Sequence, residues 1–201
     1  MASKVDMYEL IPELNWIKDS STREKCAAVW LELIEEGGWN EKGLDKTLVD
    51  TSICYEDLVT HTRRVTQSVK AFYDSLKGNL ADDVGPCDED VLIAGSILHD
   101  VAKLIELDID PKDGTPFTTD RGYMFKHSTS GAYYAKKHGL CDEIVHAILA
   151  HSPFISPPNA LESPESLIIR TIDDLRFRYL ALHKRPQAIK AITKKDFYVK
   201  K

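Results

Sequence analysis

Apolar positions recur along this chain with helical spacing almost throughout. Ser20-Ser21-Thr22 offers a cap for a helix carrying Ala27, Val29, Trp30, Leu33 and Ile34, with Gly37-Gly38 as its stop. From Glu56 to Leu76 a stripe of Leu58, His61, Val65, Val69, Phe72 and Leu76 keeps the three-and-four spacing of a buried face. Asp88-Glu89-Asp90 then leads a helix from Val91 to Leu107, since acidic residues favour a helix N-terminus. This segment is apolar nearly all round and predicts a central helix.

The pattern lapses from Asp108 to Phe125. Asp110-Pro111, Asp113-Gly114, Pro116 and Arg121-Gly122 are turn signals and predict a long loop, with room for a short hairpin at Asp113-Gly114. Helices resume over Ser128–Lys137, stop at Gly139, and restart through Ile144, Ile148 and Ala150 until Ser152-Pro153 and Pro157-Pro158. A last core helix begins near Pro164 with Leu167, Ile168, Ile172, Leu175 and Leu180. The fold class is therefore all-α. No internal repeat or low-complexity segment interrupts it.

Composition narrows the class. The length of 201 residues and the 43% apolar fraction suit one globular domain with a small extension. A net charge of −6 gives a nucleic-acid backbone little to bind. No apolar run reaches the roughly 18 residues of a membrane span, and Met1–Asp6 lacks the apolar core of a signal peptide. Cys26, Cys54, Cys87 and Cys141 are far apart, without a C-x-x-C pair, and read as reduced thiols of a cytoplasmic protein. Lys184–Lys201 carries seven Lys or Arg against one Asp; it reads as a basic tail, solvated more readily than docked.

The chemistry concentrates at His99-Asp100, within Ile97-Leu98-His99-Asp100-Val101-Ala102-Lys103-Leu104. Burying an imidazole beside a carboxylate is costly unless something pairs with them. His61 lies in an apolar stripe, His127 opens a helix after the loop, His151 closes one after Ala147-Ile148-Leu149-Ala150, and Asp173 lies mid-helix. Each alone has a structural explanation; Asp173, for instance, has Arg170 and Arg176 within reach along its helix. Together they would leave a series of buried polar groups, each costing about 1–3 kcal/mol if unsatisfied. One shared metal site relieves them all. Ser96, His99, Asp100 and Lys103 fall at i, i+3, i+4 and i+7 and share a face, as expected of a helix lining a site. His138, His146 and His183 read as surface or capping residues, Glu56 as a helix cap, and Tyr55 with Glu56 as neighbours of the pocket mouth.

The order His61, His99-Asp100, His127, His151, Asp173 resembles that of the HD-domain metalloprotein superfamily. The local contexts are His61-Thr62-Arg63-Arg64-Val65, the HD-x-x-K run ending at Lys103, His127-Ser128-Thr129-Ser130-Gly131-Ala132, and Ile148-Leu149-Ala150-His151 followed by Ile169–Asp173. The resemblance runs from Glu56 to Leu180 and implies an HD domain over 51–183, preceded by a helical extension over 1–50 packed on it and followed by the tail 184–201. It also implies a dinuclear site bridged by Asp100, with His61, His99 and Asp173 on one ion and His127 and His151 on the other. Nitrogen and oxygen donors without cysteine suit iron or manganese and admit zinc, cobalt or nickel.

Two reaction classes share these ligands within the superfamily. In one, a cation pair about 3.5–4 Å apart activates water for hydrolysis of a phosphate ester or anhydride, of nucleotide type among others. Asp100 and Lys103 would then be catalytic, with Lys103 and Arg170 binding the anionic substrate. In the other, a mixed-valent di-iron pair oxidises a C–H bond or cleaves a C–C or C–P bond of a small polar substrate. A regulatory domain that keeps the fold without turnover is the third reading. The hydrolase is favoured as the commoner reaction class of the superfamily, and the stretch with Gly131-Ala132, Gly139, Asp142-Glu143 and Ala147-Ile148 also resembles dinucleotide-polyphosphate hydrolases. Gly122-Tyr123-Met124 is not the G-Y-P motif of the cyclic-dinucleotide diesterases. The loop before His127, with Asp120, Arg121, Tyr123 and Lys126, reads equally as a specificity lid or a surface excursion.

Overall fold

The structure, a computed structural model, describes residues 5–51, 56–79, 86–152 and 162–183. Cys54, Tyr55, Pro153, Pro157, Pro158, the side chains of Leu180 and His183, and the tail 184–201 lie outside the described residues. The elements in order are α1 (Met7–Leu10), a 3-10 turn (Pro12–Trp16), α2 (Ser20–Glu36), α3 (Trp39–Lys42), a 3-10 turn (Leu44–Lys46), α4 (Leu58–Asn79), α5 (Glu89–Leu98), α6 (Lys103–Glu106), β1 (Leu107–Ile109), β2 (Pro116–Thr118), α7 (Asp120–Met124), α8 (His127–Lys137), α9 (Asp142–Ala150) and α10 (Pro164–His183). The architecture is all-α, a helical bundle with one small hairpin.

Helix α5 is the hub. Every residue from Val91 to Leu98 is buried, and α2, α4, α9 and α10 pack around it. Asp88 caps it by accepting from the N–H groups of Asp90 and Val91. One apolar cluster joins Trp30, Leu33 and Trp39 of the N-terminal segment to Ile93, Ile97, Leu98 and Leu104. The two indoles do more than fill space. Trp30 Nε1 donates to the Ile97 carbonyl at 3.1 Å and Trp39 Nε1 to the Leu104 carbonyl at 2.6 Å. They therefore brace the backbone on either side of the His99-Asp100 turn.

The structure corrects four local expectations. Helix α2 is capped by Asp19, whose carboxylate accepts from Thr22 N–H, and not by the serines that follow it. On α4 the buried aromatic is Tyr73, while Phe72 faces outward. Glu56 caps nothing; Asp57 accepts from Thr60 N–H at 2.8 Å in that role. Most important, the helix expected over Val91–Leu107 ends at Leu98. From there i+3 bonds take over: Val101 N–H to Leu98, Lys103 N–H to Asp100, Leu104 N–H to Val101. Such tight turns eclipse side chains at i and i+3. That geometry, rather than a continuous helical face, brings Lys103 over Asp100.

The 108–125 stretch holds the hairpin, with Leu107 opposite Thr118 and Ile109 opposite Pro116. Gly114 supplies the left-handed residue at its turn, with φ 74°. Helix α7 follows, then α8, which packs on α9.

Candidate metal centre

The structure brings the six predicted side chains together. His99 ends α5 and His151 ends α9, each as the C-cap residue. The last carbonyls of a helix lack intrahelical partners, and each imidazole uses one. His99 Nδ1 lies 2.7 Å from the Ser96 carbonyl, and His151 Nδ1 lies 2.6 Å from the Ile148 carbonyl. Only an N–H can make these bonds, so Nδ1 carries a proton and Nε2 is the nitrogen turned inward. His127 is held the same way by a carboxylate: its Nδ1 lies 2.7 Å from Glu106 Oε2. His61 Nδ1 is 3.6 Å from Glu56 Oε2, a charge contact rather than a hydrogen bond. All four rings thus put Nδ1 toward an acceptor behind them and Nε2 toward the centre.

Asp100 is that centre. Its Oδ2 lies 3.4 Å from Nε2 of both His61 and His99, and its Oδ1 lies 3.4 Å from His127 Nε2 and 3.6 Å from His151 Nε2. Each oxygen serves a different pair of rings. Asp173 Oδ1 joins the first pair, 3.1 Å from His61 Nε2 and 3.7 Å from His99 Nε2. The donor atoms therefore form two sets, His61, His99, Asp100 and Asp173, and Asp100, His127 and His151, each within 4.8 Å. His99 Nε2 and Asp100 Oδ1 are buried with no hydrogen-bond partner. Such orphaned atoms are rare and need a reason; a cation shared by both supplies one. The nitrogen and oxygen donor set fits a transition-metal ion.

The electrostatics agree. Burial works against a charged His61, but the carboxylates of Asp100, Asp173 and Glu56 overcome it and push the imidazole up to about 10. For His99 burial is again the largest influence and again loses, to Asp100 and then Asp173, so the ring is pushed up to about 9. His151 goes the other way: burial and the neighbouring rings hold it below the usual imidazole range. Burial opposes ionised Asp100, yet Lys103 and the histidines hold its carboxyl well below the carboxylate range. The pocket thus holds a pair of carboxylates, Asp100 buried and Asp173 partly so, that attract positive charge.

Lys103 sits where the sequence puts it, beside the site, with Nζ 2.7 Å from Asp100 Oδ2 and the side chain 14% exposed. Arg170 is not free over the pocket; it pairs with Glu162, half-exposed. It still borders the cavity of about 280 Å³ that opens over the site, along with Lys103, Lys126 and Phe177. Val49, Asp50 and Thr51 from the chain ahead of α4, Thr118 from the hairpin, and Asp174 of α10 also line the wall.

Sequence reasoning missed two residues. Glu56 is buried behind His61 and bonds Arg64 at 2.7 Å and also Arg176. Burial raises its carboxyl, but His61 and the two guanidiniums prevail and hold it at about 2. Arg176 therefore serves Glu56, not Asp173. Glu106, 8% exposed, backs His127. Its flanks, Leu104-Ile105 and Leu107, were the available signal: a charge inside an apolar run. His138 is the C-cap residue of α8 and pairs with Glu32 at 2.6 Å, away from the metal centre.

Residues 58–178 match the HD domain family model, well over half of the chain. This chain belongs to the HD-domain family. The chain is also 30% identical over 101 residues to Ribonuclease Y of Oleidesulfovibrio alaskensis, an alignment covering 50% of this chain and 16% of that protein. It thus spans about a sixth of the length of that curated relative. No solved structure matches the chain. In this HD domain two of the buried atoms without a hydrogen-bond partner, His99 Nε2 and Asp100 Oδ1, belong to the HD dipeptide itself. No helix among the described residues is long and apolar enough to cross a membrane.

Proposed function

We propose that this HD domain is a metal-dependent phosphohydrolase, acting on a phosphate ester or anhydride of a small anionic molecule with two transition-metal ions. The observation that carries the reading is the division of Asp100: one oxygen faces His61 and His99, the other His127 and His151. A carboxylate so placed, with Nε2 atoms on both sides, is suited to bridging two cations. Bound there, the ions supply Lewis-acid polarisation of a phosphoryl oxygen and a water acidic enough to ionise at neutral pH.

The protein's own groups do the rest. Asp100, Asp173 and the four histidines would hold the ions. Lys103, pinned to Asp100 Oδ2, keeps that carboxylate ionised and presents a fixed cation at the cavity floor. Lys126 and Arg170 add positive charge at the walls, where a phosphate would enter. The cavity, about 280 Å³, suits a small phosphorylated substrate better than a nucleic-acid strand. Likeness to a relative named as a ribonuclease supports phosphoester hydrolysis over oxygenation.

The test is phosphate release from nucleotides and a generic phosphoester by the metal-loaded full chain under argon. Turnover that needs added metal but no oxygen supports the reading. Strict dependence on oxygen, with an iron spectrum and no phosphate release, overturns it in favour of the di-iron oxygenase.

A further inference from the structure

Glu106 lies outside the six side chains of the metal centre, yet the 107–126 excursion returns to it at Thr119, Gly122 and Lys126. Its Oε2 accepts from the backbone N–H of His127 at 2.5 Å and from His127 Nδ1 at 2.7 Å. The same oxygen thus caps the first turn of α8, whose N-cap Lys126 offers no side-chain bond, and fixes the ring on that turn. The other oxygen, Oε1, lies 3.5 Å from Lys126 Nζ. The Glu106 carbonyl accepts from Thr119 N–H at 2.9 Å; the Thr119 hydroxyl donates to the neighbouring Ile105 carbonyl at 2.8 Å, with the Glu106 carbonyl at 3.2 Å, and accepts from Gly122 N–H at 3.0 Å. Gly122 itself passes so close that a Cβ there would stand 2.4 Å from the Glu106 carbonyl oxygen and 2.8 Å from Glu106 Cγ. The hairpin returns the chain, α7 seats on Glu106, and His127 follows.

The other three imidazoles differ. His99 and His151 are fixed by carbonyls three residues back in their own helices and owe nothing to a remote segment. His61 has Glu56 behind it at 3.6 Å, and that carboxylate is already engaged by Arg64 and Arg176. His127 alone among the four has its outward nitrogen, Nδ1, hydrogen-bonded to a side chain, the Glu106 carboxylate 21 residues distant. It also belongs to the set with three donor residues, where the other set has four. A donor misaligned there leaves the least behind.

We propose that Glu106 is the positioning residue for the Asp100–His127–His151 subsite, and that through it the 107–126 excursion sets how tightly this subsite, and not its neighbour, holds an ion. The inference rests on the two-ion reading above. A carboxylate behind a ligating imidazole fixes its tautomer and raises the basicity of the opposite nitrogen; losing such a partner typically costs 10–100-fold in metal affinity. Glutamine at this position still offers an acceptor oxygen but no charge. The Gly122 packing predicts that even alanine there shifts Glu106 without touching any donor.

The experiment is calorimetric titration of the chelator-stripped full chain with Mn²⁺, repeated with Co²⁺ followed by its visible absorption. The native chain takes up two ions. Glu106→Ala keeps one at native affinity and weakens the other about 10–100-fold. Glu106→Gln shows a smaller loss at the same subsite, and Gly122→Ala a loss in the same direction. The unchanged first affinity doubles as the folding control. Both affinities within twofold of native in Glu106→Ala overturn the proposal. So does an equal loss at both subsites, which makes Glu106 a general structural residue. A native chain that takes up no second ion refutes the two-ion reading itself, a result seen before any variant is measured.

Discussion

Lys103 Nζ lies 2.7 Å from Asp100 Oδ2, and the two residues are three apart on a turn tight enough to stack them. Burial lowers the Lys103 pKa, but the charges of Asp100 and Asp173 prevail and hold it above the usual lysine range. The ammonium is therefore permanently charged at the edge of the cavity. Lys103→Met keeps the stem and removes the charge. It is expected to lower kcat/KM for phosphate release by about 100-fold, within the range for a lost charge-stabilising group, while metal content stays near native. Kinetics and elemental analysis on one preparation check both halves.

The tryptophan braces predict a stability effect from outside the metal centre. Trp30→Phe keeps most of the buried surface but leaves the Ile97 carbonyl without its donor. The expected cost is about 1–3 kcal/mol for a buried unpaired acceptor, read as a lower urea midpoint with unchanged slope. A midpoint equal to native would show that the N-terminal segment does not brace α5.

The pH dependence of the metal-free chain follows from His61 and His99, pushed up to about 10 and about 9. Groups with raised folded pKa values contribute stability that is fully present below the unfolded imidazole range, near 6.5. That contribution is lost as pH rises through 9 and 10. The metal-free chain should therefore weaken steadily from about pH 6.5 to 10. Ions displace the same protons, so metal affinity should rise with pH over that window. Glu56, held at about 2, works at the acid end: its contribution is present above the ordinary glutamate range and lost as pH falls through about 2. Thermal unfolding across pH, with and without Mn²⁺, checks both signs.

How far these features were legible in the sequence depends on how local their causes are. The helices were readable because apolar spacing states which face is buried, and the hairpin because Asp113-Gly114 supplies its own turn. Most of the site positions stood out because they put a polar group among apolar residues, whereas His127, between Lys126 and Ser128, stood out by opening a helix after the loop. The break after Leu98 was not readable: Val101, Ala102, Leu104 and Ile105 continue the helical period, and the tightened turn is set by tertiary bonds from Trp30 and Trp39. Tyr73 displaced Phe72 for a similar reason. Both fit the helix, and packing against Leu92 and Ile169 decides. Glu56 read as a helix cap, and Glu106 was passed over, because their partners, His61 with Arg64 and Arg176, and His127, are not adjacent to them in sequence. Arg170 looked like a free cation because Glu162 precedes its helix.

Asp100 carries the central claim, and metal stoichiometry tests it most directly. Elemental analysis of the purified full chain, never exposed to chelator, is expected to find close to two transition-metal ions per chain. Asp100→Ala should remove both, whereas His127→Ala or His151→Ala should remove one. Native protein without metal, or an Asp100→Ala variant that keeps both ions, would contradict the account.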